Sequence, residues 1–114
     1  ARGHGSARSG VHHWYAQRAS AVLLIFLVGW LLFALFSLAG SGYAGSRDFI
    51  ANPVNAAFLG LFTVVVLYHA MLGVQVVIED YVHGPMEKVL LLAMTCLSYG
   101  AAAVGLFAVA RLAL

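Results

Sequence analysis

The sequence predicts an all-α membrane protein in which three transmembrane helices cross the bilayer. Of its 114 residues, 63% are hydrophobic and 9% are charged, whereas a soluble domain carries about 25% charged residues. Three apolar segments each exceed the ~20 residues that a helix needs to cross the hydrocarbon core. No segment alternates between apolar and polar residues as a barrel strand does. The spans are therefore expected to be helices, which satisfy their own backbone hydrogen bonds in lipid.

The chain is expected to begin with a polar arm over residues 1–18. The first part of this arm, Ala1 to Gly10, is small, polar and basic, and its lack of an apolar face indicates an exposed segment. Trp14 and Tyr15 are aromatic anchors of the kind that favour a membrane interface. Arg18 stands at the edge of the first apolar run, where its guanidinium can reach headgroups or a buried anion.

The remaining residues complete a single membrane domain, residues 1–114. The three spans are expected at about residues 19–39, 54–78 and 89–110. The linker of residues 40–55 is rich in Gly, Ser and Asn, and its Pro53 suits the first turn of a helix. A polar turn over residues 79–88 contains a Gly-Pro pair, which breaks helices. The third span is rich in Gly and Ala, whose small side chains let helices approach closely in lipid.

The few charged residues indicate topology and argue against a nucleic-acid partner. The formal net charge is +2, and the six Lys and Arg residues are scattered near helix ends, unlike the basic patch of a nucleic-acid-binding protein. Cys96 lies in the third span and has no second thiol for a disulfide or a metal site. We therefore expect Cys96 to be a small packed side chain.

The stretch from Tyr68 to His83 contains the residues that most strongly indicate chemistry. His69 is the one ionisable side chain deep within an apolar run, and Asp80 follows eleven residues later. At about 100° and 1.5 Å per residue, these two residues share a helix face and lie ~16 Å apart along the axis. Seven further residues are expected within about 60° of that face: Phe58, Phe62, Val65, Val66, Leu72, Gly73 and Val76.

Two motifs resemble one family. The pattern H-x-x-x-G-x-x-x-x-x-x-D-Y, formed by His69, Gly73, Asp80 and Tyr81, resembles the second transmembrane helix of the D-type hydrophobic membrane anchor of succinate dehydrogenase, respiratory complex II. The segment from Gly10 to Ala21 resembles the same family through G-V-H-x-x-x-x-x-R-A-[ST]-A, and its Trp-x-x-Gln-Arg is closest to the alphaproteobacterial and mitochondrial branch. The resemblance covers nearly the whole chain. It implies a membrane anchor subunit of succinate:quinone oxidoreductase, which passes electrons from succinate to ubiquinone at the bacterial or mitochondrial inner membrane.

In this family the matching histidine is an axial ligand of haem b, so the resemblance implies that His69 binds the haem iron. A histidine inside the bilayer is a functional candidate by default, and Gly73 leaves room for a flat macrocycle. An interhelical hydrogen bond to a Ser or Thr is the alternative role of His69. His12 and His13 are interfacial, and His83 lies beyond the helix end. The second ligand of a shared haem is therefore expected from another chain.

The resemblance also implies roles for four residues near the membrane surface. Arg18 and His12 would face the haem propionates, because Arg suits carboxylates; interface anchoring is the alternative role of the His residues. Tyr81 would donate a hydrogen bond to a quinone carbonyl, and Asp80 would support that geometry. A polar helix end with an interfacial Tyr is the alternative for this pair.

The sequence has no Rossmann glycine pattern and no cysteine cluster. FAD and iron–sulfur clusters are therefore expected only in partner subunits, and no catalytic residue is expected in this chain. The resemblance implies a second anchor subunit of the C type, which would complete a helical bundle, together with an iron–sulfur subunit and a flavoprotein subunit. A haem-free structural subunit or small transporter component, in which His69 serves packing or proton relay, is the alternative.

We predict that the N-terminus lies on the cytoplasmic or matrix side, because basic residues are enriched on that side of a membrane protein. Four basic residues flank the N-terminus and the second loop, and two lie opposite: Arg2, Arg8, Arg18 and Lys88 against Arg47 and Arg111. Single cysteines near Arg8 and after Arg111, introduced after Cys96→Ala, should show opposite accessibility in sealed vesicles. Equal labelling of both from one side would contradict this topology.

Overall fold

The computed structural model describes residues 2–114, with side chains from Gly10 onward, and all of its regular structure is helical. The helices are α1 (Arg2–Leu38), α2 (Gly42–Ala51), α3 (Pro53–Tyr81) and α4 (Pro85–Ala113). Three stretches are long and apolar enough to cross a membrane: α1 from Gly10 onward, α3 and α4. Within the described residues no strand occurs, and the expected all-α fold class with three membrane helices is confirmed.

Helix α1 extends well beyond the first expected span, because nothing interrupts it between the arm and the membrane. The only prolines of the sequence, Pro53 and Pro85, stand at the first positions of α3 and α4, where a missing backbone N–H has no consequence. The 37 residues of α1 make a helix ~55 Å long, which accounts for the 56 Å length of the molecule. Gly10 is exposed, as expected of the arm; the side chains of residues 1–9 lie outside the described part.

The segment of residues 40–55, which was expected to be a linker, is largely helical. It contains the ten-residue helix α2, which the chain enters through Gly40 and Gly42, both with positive φ (81° and 71°). Phe49 of α2 stacks on Trp30 of α1, with ring centroids 5.9 Å apart. This tertiary contact stabilises a helix whose glycine and serine residues have little helical propensity of their own.

A set of hydrogen bonds around Asn52 fixes the corner between α2 and α3. The backbone N–H of Asn52 donates to the Phe49 carbonyl at 3.3 Å, while its side-chain oxygen accepts from the N–H of Val54 at 2.9 Å. The Asn55 amide also donates to the Phe49 carbonyl, at 3.0 Å. A side-chain cap of this kind stabilises a helix by ~1 kcal/mol, so one residue ends α2 and starts α3.

The turn between α3 and α4 is shorter than the polar segment of residues 79–88. Helix α3 continues to Tyr81 and α4 begins at Pro85, so only residues 82–84 lie outside helices. Gly84 has a φ of 79°, which glycine adopts without strain. Asp80 and Tyr81 therefore lie on the last turn of a continuous helix.

Helix α3 is the centre of the fold. It lies between α1 and α4, which make no contact with each other in the described part of the chain. In α1, the buried residues Ser20, Leu27 and Ala34 are spaced by seven and form one stripe towards α3. Val65 and Leu72 are the buried residues of α3. Most large apolar side chains stay exposed on the outer faces, as a lipid environment allows.

Helix α4 packs on its neighbours without burying any residue fully. None of its residues is buried, and Cys96 is exposed. The expectation that Cys96 is a packed side chain is therefore wrong within this chain. The physical reason is that none of the described residues covers the Cys96 side chain enough to bury it.

Helices α3 and α4 approach closely at Gly105. A Cβ atom at this position would lie 2.7 Å from Cγ2 of Thr63, and the Thr63 hydroxyl is held by a 2.8 Å hydrogen bond to the Leu59 carbonyl. At Gly100, a Cβ would meet nothing within 4 Å. The small residues of the third span therefore have different roles, and helix packing requires Gly105 but not Gly100.

We predict that Gly105→Ala destabilises the protein, whereas Gly100→Ala does not. Overpacking costs ~1–3 kcal/mol, which exceeds the ~1 kcal/mol at most that Ala contributes over Gly in a helix. Thermal unfolding of the detergent-solubilised protein should show a lower midpoint for Gly105→Ala and an unchanged or slightly higher one for Gly100→Ala. Equal midpoints for the two variants would show that the Gly105 contact is not tight.

Candidate functional site

A part-buried polar contact joins α3 to α1. The Nδ1 atom of His69 lies 2.9 Å from the Ser20 hydroxyl, and that hydroxyl also donates to the Gln17 carbonyl at 3.0 Å. Ser20 has only 7% of its surface exposed. This contact is the interhelical hydrogen bond to a serine that was the alternative role of His69. It occupies one ring nitrogen, so the other, Nε2, is left for a second partner.

His69 also borders an apolar depression between α1 and α3, with a volume of about 500 Å³. The other lining residues all belong to α1: Ala21, Leu24, Ile25, Val28, Gly29 and Leu32. The imidazole is therefore the one polar side chain in an apolar lining. Among the described residues, no three His, Cys, Asp or Glu side chains converge to hold a bare metal ion. His69 is instead suited to a large apolar group that takes one nitrogen ligand from this chain.

A second depression, of about 440 Å³, lies nearer the N-terminal end of α1. It is lined by Gly10, His13, Trp14, Gln17, Arg18, Gly73 and Val76. In the described structure, His13 Nε2 and Gln17 Oε1 are buried without a hydrogen-bond partner. Leaving a buried polar atom unpaired costs ~1–3 kcal/mol. An anion could accept a hydrogen bond from His13 Nε2 when that nitrogen carries a proton, whereas Gln17 Oε1 needs a donor.

Gly73 adjoins the side chain of Gln17. A Cβ atom at Gly73 would lie 3.7 Å from the Gln17 amide nitrogen, which is ordinary van der Waals contact. Part of the room that Gly73 leaves is thus taken by an amide from α1, and the rest opens into the second depression. Gly73 therefore belongs to the polar end of the α1–α3 contact.

Arg18 is exposed and lines the second depression. Its guanidinium carbon lies 5.5 Å from the centroid of the Trp14 ring, a cation–π arrangement that helps to orient the side chain. A positive charge is thus available beside the unpaired atoms of His13 and Gln17. The chemistry of this donor set suits a carboxylate, to which Arg and His both donate.

The two neighbouring histidines of α1 have different surroundings. His12, which the resemblance assigned to the haem propionates, is exposed and lines neither depression. His13 is half-buried and lines the second depression with Gly73. The difference follows from the helix, since successive side chains point ~100° apart around its axis.

Asp80 and Tyr81 lie apart from both depressions. They are exposed on the last turn of α3, Tyr81 with 80% of its surface accessible. Asp80 makes no side-chain hydrogen bond to any described residue; the nearest such bond on this turn joins Gln75 to Glu79, at 3.4 Å. The ~16 Å of helix between His69 and Asp80 separates an interior site from a surface site.

The helix face predicted to carry His69 is only partly buried. Val65 and Leu72, four residues before His69 and three after it, are buried against the neighbouring helices. The members of this face that are half-buried are Phe62, Val66 and Gly73. Phe58 and Val76, at the two ends of the face, keep 39% and 40% of their surface exposed. The burial is therefore strongest at the level of His69.

Sequence reasoning missed the contributions of His13, Gln17 and Ser20 to this site. A signal for them was present, because these three polar residues recur at spacings of four and three and so share one face of α1. The same face continues into the buried stripe through Leu27 and Ala34. Polar residues at the start of an apolar stripe were the pattern that could have identified them.

Known proteins resemble this chain over most of its length. Residues 1–110 match the model of a family described as succinate dehydrogenase/fumarate reductase transmembrane subunit. A Rickettsia bellii protein named succinate dehydrogenase hydrophobic membrane anchor subunit is 42% identical over 82 residues, covering 72% of this chain and 66% of that protein. The chain thus spans slightly less than two thirds of the length of that relative.

Two further relatives come from other lineages. The succinate dehydrogenase membrane anchor subunit of Reclinomonas americana is 32% identical over 85 residues, covering 72% of this chain and 71% of that protein. The succinate dehydrogenase hydrophobic membrane anchor subunit of Paracoccus denitrificans is 27% identical over 114 residues, covering 100% and 88%. With its three apolar helices, this chain belongs to the family of succinate dehydrogenase/fumarate reductase transmembrane subunits.

Proposed function

We propose that this chain is a membrane anchor subunit of succinate:quinone oxidoreductase. In this role it shares one haem b with a second anchor subunit and completes the quinone-reducing site, through which electrons from succinate reach ubiquinone. The observation that carries the haem part is the position of His69, which is bonded to Ser20 through one ring nitrogen and borders an apolar depression. A histidine within a membrane helix is costly unless it has a role.

The residues around His69 fit a haem. The depression of about 500 Å³ has an apolar lining that would suit a haem, and the His69 imidazole would hold its iron. The unpaired His13 Nε2 and the Arg18 guanidinium line the adjoining depression, where they suit propionate carboxylates. His12 remains a propionate ligand by family resemblance only. When bound, haem supplies reversible one-electron transfer.

A further protein ligand for the haem would come from a C-type anchor subunit. His12 and His83 are exposed, and His13 lies at the level of Gly73, beyond His69 towards the end of α3. The outer faces of the three membrane helices are largely exposed, which leaves surface for partner helices. An iron–sulfur subunit and a flavoprotein subunit would hold the remaining cofactors and oxidise succinate.

The quinone part of the proposal rests on Tyr81 and Asp80. Tyr81 is exposed at the end of a membrane helix, where a quinone headgroup can lie while its isoprenoid tail stays in lipid. Its hydroxyl would donate a hydrogen bond to a quinone carbonyl oxygen and stabilise the negative charge that develops there. Asp80 would hold the neighbouring polar network, and partner subunits would close the pocket.

The proposed location is the bacterial inner membrane, or the mitochondrial inner membrane as the alternative. The N-terminal half of α1 and the Asp80 turn lie at the same end of the fold, because α1 and α3 are antiparallel. Gln17 meets Gly73, while Trp30 meets Phe58. The basic residues favour the cytoplasmic or matrix side for that end.

A haem-free structural subunit is the second candidate, because the hydrogen bond between Ser20 and His69 is also what a packing role requires. A haem-binding anchor subunit and a haem-free structural subunit can be distinguished by one absorption measurement. A reduced-minus-oxidised difference spectrum of the purified complex shows a b-type band only if haem is present.

We predict that His69→Ala abolishes or strongly reduces the b-type spectrum of the purified complex, because it removes one axial ligand. His83→Ala is the matched control, since His83 is exposed beyond the end of α3, and it should leave the spectrum unchanged. Succinate oxidation by a water-soluble dye should persist in assembled complexes of both variants. A b-type spectrum of full intensity in His69→Ala would contradict haem binding by His69 and indicate that this residue serves helix packing.

We predict that Tyr81→Phe lowers quinone reduction about threefold to a hundredfold, because a lost hydrogen bond costs ~0.5–1.5 kcal/mol, and up to ~3 kcal/mol when charge develops. Each 1.36 kcal/mol is about tenfold in rate. Dye reduction by succinate and the haem spectrum should stay unchanged. Tyr43→Phe is the control, because Tyr43 is also an exposed tyrosine and lies in α2. Full quinone reductase activity in Tyr81→Phe would contradict the quinone role and indicate that Tyr81 is an aromatic anchor at the membrane interface.

A further inference from the structure

We propose that Ser20 is a positioning residue that holds His69 in the tautomer with a proton on Nδ1 and a free lone pair on Nε2. This inference rests on the proposed haem role of His69, and it adds a residue whose function lies in directing the ligand nitrogen. Ser20 touches His69, but it is not itself proposed to touch the haem.

The two hydrogen-bond partners of the Ser20 hydroxyl favour one tautomer of His69. The Ser20 hydroxyl carries one proton, and the Gln17 carbonyl, 3.0 Å away, can only accept it. With its proton directed to that carbonyl, the Ser20 oxygen can only accept from His69 Nδ1, 2.9 Å away. Nδ1 must then carry the imidazole proton. Neutral imidazole has one N–H, so Nε2 is left as the acceptor that a metal needs.

The surroundings of His69 disfavour the other tautomer. With the proton on Nε2, the ring would need an acceptor beyond Ser20. His69 makes no other side-chain hydrogen bond with the described residues, and the α1 side chains that line its depression are all apolar. A donor left unpaired beside such a lining costs free energy. The same position therefore suits a lone pair that binds iron.

Burial makes the Ser20 contact hard to replace. Ser20 keeps only 7% of its surface exposed, so water has little access to the Nδ1 side of the ring. A hydrogen bond accepted from the N–H of a metal-bound histidine also makes that ligand more electron-rich. An electron-rich ligand favours the ferric state. Loss of the Ser20 oxygen should therefore raise the reduction potential of the haem.

The experiment compares Ser20→Ala, Ser20→Thr and Ser37→Ala in the intact purified complex. Ser37 is the matched control, because it is a serine of the same helix whose hydroxyl bonds only the Phe33 carbonyl. Redox titration of the b-type absorption band should give a higher midpoint potential for Ser20→Ala than for the parent complex. Electron paramagnetic resonance of the oxidised complex should show a shifted low-spin ferric haem signal in this variant. Ser20→Thr keeps the hydroxyl and should behave like the parent chain, as should Ser37→Ala.

The outcomes separate this inference from the proposed function. Absence of haem from the parent complex, or a normal haem in His69→Ala, would overturn the proposed function itself. If His69→Ala loses the haem while Ser20→Ala keeps the parent potential and resonance, the haem role stands and the Ser20 inference is wrong. If the complex with Ser20→Ala does not assemble, Ser20→Cys replaces it, because a thiol is similar in size and a weaker acceptor. A parent-like midpoint potential and resonance in Ser20→Cys would again show that the Ser20 inference is wrong.

Discussion

The absence of water from the bilayer core is the constraint on which this structure depends. Backbone groups in that region must pair within the chain, which makes the three spans helices. The same constraint acts on side chains, because an imidazole in lipid needs a polar partner. Ser20 supplies it to His69 from the neighbouring helix. One physical requirement thus accounts for the helical fold and for the polar contact at its centre.

Helix α3 carries this arrangement because both other membrane helices pack on it and not on each other within the described residues. On the side of α3 that faces α1, His69 makes a polar contact with Ser20. On the side that faces α4, Thr63 packs closely against Gly105. The two sides therefore have different chemistry. The first presents an imidazole beside an apolar depression, and the second provides close helix packing.

Much of the fold could be predicted from the sequence, because length and hydropathy decide which segments cross lipid. The same reasoning placed His69 within the second of these segments, but it put Tyr81 in a polar turn and not on the last turn of α3. Helix α2 could not be predicted, because its stability depends on Phe49 meeting Trp30 across the fold. The pairing of His69 with Ser20 depends on which face of α1 meets α3. The composition and residue spacing of one segment do not show which face of α1 packs against α3.

The aromatic cluster around Trp30 has a consequence for the distant imidazole. Trp30 contacts Phe49 of α2 and Phe58 of α3, at centroid distances of 5.9 and 5.2 Å. Ser20 lies ten residues earlier on the same helix, ~15 Å along its axis. Helix α1 is thus attached to α3 at two separated points. Such a two-point attachment resists both rolling and sliding of one helix on the other. The aromatic rings around Trp30 therefore help to orient the His69 imidazole ~15 Å away along α1.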